Sequence, residues 1–326
     1  KFLYLISNGS IQKVAVADGS VTPISYSGNM VLDPAAERAY LFEHVWRQIY
    51  KKFYVADMHG IDWPLMKKEY GKFLPFIRSG FDLAEMLSEM LGELNASHTG
   101  ATYYPDYGNP DSTAELGLFF DPAHEGDGLK ILEVVEKGPL DTAESKVRPG
   151  TIVEKINGKP VKAGENYYPL LNRQAGERVL LGLRGADGKT WDEVVRPVSR
   201  GELSQLLYQR WVKSRREETE RLSGGRLGYI HVRSMNDASF RVVYSEALGR
   251  YSDREGLVID TRFNGGGNLH DDLANFLNGK KYLEYTPRGQ KISEQPIRSW
   301  TRKSVVIQNE GNYSDAHMFP YAYRFM

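Results

Sequence analysis

The amino-acid sequence predicts a multidomain protein of mixed α+β and α/β type, and three observations carry that expectation. Short apolar runs broken by turn residues occupy 1–26 and 105–200. Helical periodicity with capping signals occupies 33–100, and from residue 201 a charged helix precedes alternating strands and helices. A length of 326 residues allows about two or three domains at roughly 100–200 residues each. A composition of 41% hydrophobic and 26% charged residues is that of a core-forming chain.

The elements follow in order. Phe2 to Ile6 runs into Asn8-Gly9, Ile11 to Val16 runs into Asp18-Gly19, and Val21 to Tyr26 follows. Asn-Gly and Asp-Gly between apolar runs are strong hairpin signals. Three such strands cannot bury a core alone, so they read as the last piece of a larger β structure in a chain that continues beyond these residues. Asp33-Pro34 opens a helix carrying Phe42, Val45, Trp46 and Ile49 at helical spacing, Asp62-Trp63-Pro64 opens a second, and Asp82 is expected to cap a third. The third is expected to run out at Asn95 to Gly100, placing His98 at a helix end. Strands are expected at 116–120, 129–135 and 179–183, then a helix at 201–223. Leu227 to Val232, Gly256 to Asp260 and Ser304 to Gln308 read as strands of a layered α/β sheet, the last two of the type buried on both faces. The segment boundaries fall at 1–30, 31–104, 105–200 and 201–326.

Composition restricts the chemistry. The 42 basic and 42 acidic residues balance, which removes any general electrostatic case for nucleic acid or an anionic membrane as partner. The chain has no cysteine, hence no disulfide, thiolate metal site or cysteine nucleophile. No apolar run reaches the 18 or so residues of a membrane span, and Lys1 to Leu5 lacks signal-peptide anatomy. The expectation is a soluble protein of the cytoplasm or periplasm, with no metal or cofactor, whose chemistry uses Ser, His, Asp, Glu or Lys.

The segment 105–200 resembles a PDZ domain, most clearly over residues 136–158. Gly138-Pro139-Leu140 stands where that family starts a short helix, and Arg148-Pro149-Gly150-Thr151 feeds a strand that ends in Asn157-Gly158. Leu116-Gly117-Leu118-Phe119 matches the family's carboxylate-binding loop, which captures a peptide end with backbone N–H groups. Thr151 stands where Asp is commoner.

Catalytic sites of open α/β sheets lie at the carboxyl ends of strands, and two such ends stand out. After Asp260 comes Thr261-Arg262-Phe263-Asn264-Gly265-Gly266-Gly267. The glycines match neither GxGxxG nor GxxxxGK[ST], which leaves an anion hole or a tight strand-to-helix turn. After 304–308 comes Asn312-Tyr313-Ser314-Asp315, where Ser314 is either an ordinary N-cap or a nucleophile at a helix N-terminus. The esterase elbow GxSxG is absent, since Asn312 and Ala316 replace its glycines. A serine nucleophile needs a base. Among the 7 histidines, His98 stands apart in the polar run Asn95-Ala96-Ser97-His98-Thr99-Gly100, whereas His231 reads as a satisfied core histidine and His270 simply follows the glycines.

The order of Ser-His-Thr, PDZ-like segment, Asp-x-Arg-x-Asn-Gly-Gly-Gly, strand and Asn-Glu-x-x-x-Ser-Asp resembles the core of the tricorn family of serine peptidases, within the superfamily of C-terminal processing peptidases. The resemblance covers residues 33–326, and 1–30 resembles the end of the β-propeller that precedes this core. It implies a serine endopeptidase with Ser314 as nucleophile, His98 as general base and Ser97 orienting it. Gly267 and Asp315 would supply the oxyanion N–H groups. Gly266, Glu284, Tyr285, Leu116 and Gly117 would contact a peptide substrate. It further implies an orienting glutamate and further core strands beyond Met326, which would leave the α/β core here incomplete, and a homo-oligomer. Tyr285, with Glu284 beside it, stands where the family has an acidic residue that favours basic substrates. Two alternatives differ in class: a catalytically inactive peptide-binding scaffold built on the PDZ-like segment, and a Ser–Lys dyad, for which no lysine follows Ser314.

Overall fold

Asn8 and Gly9 adopt φ of 48° and 76° in the computed structural model, which describes residues 1–326. Positive φ at both positions is what a two-residue hairpin turn demands. They join β1 (Phe2–Ser7) to β2 (Ser10–Ala15), which pairs with β3 (Val21–Ile24) in a three-stranded antiparallel sheet. No closed barrel or propeller is present. The chain forms two units, Lys1–Asp106 and Tyr107–Met326.

In the first unit, α1 (Pro34–Lys52) is capped by Asp33, whose carboxylate accepts the N–H groups of Ala35 and Ala36. Helix α2 (Trp63–Gly71) is capped by Asp62 in the same way, through the N–H of Leu65. Trp46 and Trp63 each donate an indole N–H to the other's backbone carbonyl, at 2.9 and 3.0 Å, which locks α1 to the start of α2. Helix α3 (Gly80–Gly92) departs from expectation at both ends. Ser79 is its N-cap, and Asp82 sits three residues on, completing a reciprocal capping box with Ser79. The helix stops at Gly92, and Asn95 and His98 adopt left-handed φ of 45° and 63°. His98 therefore lies in an irregular turn beyond the helix, not at its end.

In the second unit, β4 (Leu118–Phe120), β5 (Leu129–Val134), β6 (Ile152–Ile156), β7 (Lys159–Pro160), β8 (Val179–Arg184) and β9 (Thr190–Val195) form an antiparallel sheet ordered β4-β5-β6-β8-β9, with β7 on β6. Asn157-Gly158 closes the β6–β7 hairpin. No helix follows Gly138-Pro139. The chain turns there instead, burying Leu140 while the Asp141 carboxylate accepts the Lys137 N–H.

Helix α4 (Arg200–Ser223) begins at a Ser199–Glu202 capping box and ends at the left-handed Gly224. After it come β10 (Leu227–His231), α5 (Asp237–Ser245) running into a π-helical turn at Glu246–Arg250, β11 (Gly256–Asp260) and α6 (His270–Leu277). The hairpin β12 (Leu283–Tyr285) and β13 (Ser293–Gln295), β14 (Lys303–Ile307) and α7 (Asp315–Phe325) complete the chain. Strands β10, β11 and β14 lie parallel in that order. One face packs on α5, α6 and α7 through Ile230, Ile259, Val243, Leu273 and Phe319. On the other, Trp211 of α4 meets the His231 ring edge-on at 4.8 Å. A fully buried side chain such as Phe319 contributes about 1.5–3 kcal/mol, so this core fixes α7, and with it the turn that precedes α7.

Strand β11 is buried along its whole length, as expected, but β14 is not. Along it Val306 is partly buried against the core and Val305 is 51% exposed. No helix is long and apolar enough to cross a membrane.

Candidate active site

The carboxyl ends of β10, β11 and β14 converge on the segment 260–268. Asp260 ends β11 with no exposed surface and accepts from the Tyr229 hydroxyl (2.7 Å), the Arg262 N–H (3.0 Å) and the Arg262 guanidinium (2.6 Å at Nη2). Burial alone would push its pKa up. The Arg262 and Tyr229 hydrogen bonds outweigh burial and hold it below the usual carboxylate range, so it remains ionised. His231 reaches the same segment from β10. Its Nε2 donates to the Arg262 carbonyl at 3.0 Å, and its Nδ1 accepts the Tyr208 hydroxyl at 2.9 Å. A carbonyl only accepts, so this arrangement fixes the neutral Nε2–H tautomer. Burial pushes the His231 pKa down in accord.

Asn264, wholly buried, ties three strands' ends together. Its Nδ2 donates to the Val232 carbonyl (2.8 Å), its Oδ1 accepts the Gly266 N–H (2.9 Å), and its backbone carbonyl accepts the Tyr313 N–H (3.0 Å). Asn309 accepts the Phe263 N–H, and Asn312 donates to Thr261 Oγ1 and to the Ala316 carbonyl. The glycine segment and the loop before α7 are thereby one hydrogen-bonded body.

The glycines are needed for protein neighbours. A Cβ on Gly266 (φ +97°) would stand 2.7 Å from the Tyr313 carbonyl oxygen, 2.8 Å from Ser314 Cβ and 3.2 Å from the Asp315 nitrogen. One on Gly267 (φ +147°) would stand 2.0 Å from the Met235 carbonyl oxygen, whereas one on Gly265 would meet nothing within 4 Å.

Ser314 is not an ordinary N-cap. It has φ 54° and ψ −125° and makes no side-chain capping bond, where a normal cap is extended and accepts an N–H from the first turn. A non-glycine residue held there stores about 1–3 kcal/mol, offset by surrounding contacts, and such strain clusters at functional turns. Asp315 follows, buried. Its Oδ2 accepts the N–H groups of Leu269 (2.6 Å) and His270 (3.1 Å), and its Oδ1 pairs with His270 Nδ1. With its carboxylate committed to α6, Asp315 offers the turn only its backbone.

Gly266, Gly267, Ser314 and Asp315 are thus brought together. The other expected site residues belong to other elements. Leu116 is buried in the core of the six-stranded sheet, and the Gly117 carbonyl accepts the Val135 N–H at 2.9 Å. Glu284 and Tyr285 lie on β12, where Glu284 already bonds Lys281 (2.6 Å) and Lys291 (3.0 Å), which lower its pKa. Ser97 and His98 belong to the first unit. Sequence reasoning quoted Asp260 and Asn264 only as letters of the Asp-x-Arg-x-Asn-Gly-Gly-Gly motif and assigned no role to them, to Asn309 or to Asn312.

Three family models match in chain order: the tricorn protease C1 domain at residues 34–92, the tricorn protease PDZ domain at 129–200 and peptidase family S41 at 226–325. The chain is similar to the tricorn proteases along most of its length. The S41 match takes in the glycine segment, Ser314 and Asp315. A tricorn protease homolog of Saccharolobus solfataricus is 29% identical over 303 residues, covering 90% of this chain and 28% of the relative. The tricorn protease of Thermoplasma acidophilum is 27% identical over 269 residues, covering 79% of this chain and 24% of the relative. A crystal structure of the tricorn protease matches with a TM-score of 0.76 at 23% identity, over 98% of this chain and 32% of that one, which shows a shared fold. The tricorn-like chain thus spans under a third of each of these.

Two predictions follow from the packed turn. Gly266→Ala should lower stability by about 2 kcal/mol through overpacking and backbone strain, while Gly265→Ala should stay within about 0.5 kcal/mol. Urea midpoints of the two variants check this, and equal midpoints would contradict the close approach. Second, the unfolded chain binds a proton at His231 near pH 6.5, which the buried neutral ring resists. Unfolding therefore takes up a proton below that pH, and stability must fall as pH drops through about 6.5. His231→Gln should flatten that part of the stability–pH curve measured by urea unfolding.

Proposed function

We propose that this chain carries the nucleophile, base and oxyanion donors of a serine endopeptidase that cleaves oligopeptides or unfolded chains. The observation that carries the reading is the Ser314 turn. A serine in a strained conformation, without a capping bond, stands between a parallel strand and a helix with a glycine segment pressed against it. The kinship to tricorn proteases and S41 peptidases supports the same chemistry.

In this mechanism His98 takes the Ser314 proton as Oγ attacks the scissile carbonyl, and Ser97 helps to orient the imidazole. The tetrahedral oxyanion is stabilised by the N–H groups of Gly267 and Asp315. His98 then protonates the leaving amine, and water hydrolyses the acyl-enzyme. Each backbone donor of this kind is worth about 2.7–4 kcal/mol of barrier. Gly266 and Tyr285 would contact the peptide, with Leu116 and Gly117 offering it backbone groups, since the Leu116 side chain is buried. Glu284, with two lysine partners, gives little support for a preference for basic residues. The enzyme would act as a homo-oligomer, as the tricorn resemblance implies. A catalytically inactive scaffold binding peptide ends at Leu116–Phe119 would leave the strained Ser314 turn without a role.

In the full-length protein, Ser314→Ala should abolish peptide hydrolysis, a loss on the order of 10⁶-fold in kcat, while the thermal transition is kept. His98→Ala should lose a comparable factor. A His98→Ala variant at wild-type rate would move the base to a lysine elsewhere, and a wild-type protein that neither cleaves a peptide library nor reacts with a fluorophosphonate would end the peptidase reading.

A further inference from the structure

We propose that His270 is a positioning residue of the oxyanion hole, acting through the carboxylate of Asp315. The inference rests on the peptidase reading above, in which the backbone N–H of Asp315 is one of the two oxyanion donors. That N–H follows the strained Ser314 turn, and the buried carboxylate of the same residue is what anchors it on its far side.

The carboxylate receives three donors from one short stretch of chain. The N–H groups of Leu269 and His270 both reach Oδ2, at 2.6 and 3.1 Å, and only the His270 ring reaches Oδ1. Opposite a carboxylate oxygen, Nδ1 is the donor of this pair. Leu269 stands two residues after Gly267, the other proposed donor. Covalent chain from Gly267 to Leu269 and the hydrogen bond to Asp315 therefore close a bracket that joins the two donors.

The glycine end of the bracket has its own anchor. Met235 N–H donates to the Gly266 carbonyl (3.0 Å), and Asn268 N–H donates to the Met235 carbonyl (2.7 Å). The Asp315 end depends on its side chain. Without the imidazole, Oδ1 is a buried carboxylate oxygen with no donor, an arrangement that costs more than a lost hydrogen bond alone. The carboxylate would rotate or draw in water, and the attached backbone would move with it. Displacement of a catalytic group by about 1 Å costs on the order of 10²-fold in rate, and complete loss of an oxyanion donor about 10²–10³-fold.

The test compares full-length wild type with His270→Ala, His270→Asn and His270→Gln. An Asn amide can present N–H where Nδ1–H stood, whereas the Gln amide lies one bond further out. His270→Ala should lower kcat roughly 10- to 100-fold with KM little changed, and slow phosphonylation of Ser314 by a similar factor, because the phosphonyl oxygen needs the same donors. His270→Asn should recover most of that loss. Retention of kcat and labelling rate within about twofold in His270→Ala would overturn the proposal. Should His270→Ala fail to fold, Asn and Gln variants of equal activity would overturn it as well, and a large Asn advantage would support it. An inert wild type overturns the peptidase reading itself, whereas an active wild type with an unaffected His270→Ala variant overturns only the role of His270.

Discussion

The close approach of Gly266 to residues 313–315 constrains the whole carboxyl end of the parallel sheet. A methyl group at position 266 would overlap the Tyr313 carbonyl and Ser314 Cβ, so the two loops can meet only where one lacks a side chain. That contact sets the position of the β11–α6 segment and the β14–α7 segment together. It also explains why Ser314 is held at φ 54° and ψ −125°, since relaxing either angle would move Asp315 away from α6. The geometry at Ser314 is a consequence of packing between two loops, not a local preference of the serine.

Magnitudes show how such a turn persists. Strain at one non-glycine residue costs about 1–3 kcal/mol. Against it stand the three hydrogen bonds accepted by Asp315, the one donated and two accepted by Asn264, and the links from Asn309 and Asn312. A neutral hydrogen bond contributes about 0.5–1.5 kcal/mol net and one to a charged group about 1.5–3, so the network exceeds the strain several times over. Beneath it, Asp260 with Arg262 and Tyr229, and His231 with Tyr208, fix residue 262 from both sides. These groups stand behind the loop and hold its shape.

Local signals were legible in the sequence wherever one side chain decides the structure. Asp33 and Asp62 cap helices, Asn8-Gly9 closes a hairpin, and the five residues of β11 are buried on both faces as their apolar run implies. Reading failed where two signals compete or where the partner is distant. Ser79 and Asp82 are both good caps, and the box they form makes the earlier residue the cap. Asn264 and Asp315 each contact residues about 30 to 50 positions away, and no periodicity announces such a partner. The catalytic candidates themselves came from motif order, because Ser314 alone is indistinguishable in sequence from a helix cap.

The most direct test of the central claim, that the glycine segment and the Ser314–Asp315 turn form one preorganised oxyanion site, is a crystal structure of the full-length protein after reaction with a peptidyl phosphonate. The account predicts a covalent adduct on Ser314 Oγ with the phosphonyl oxygen about 2.7–3.1 Å from the backbone nitrogens of both Gly267 and Asp315. An adduct on another residue, or one on Ser314 whose phosphonyl oxygen turns away from those two N–H groups, would contradict it.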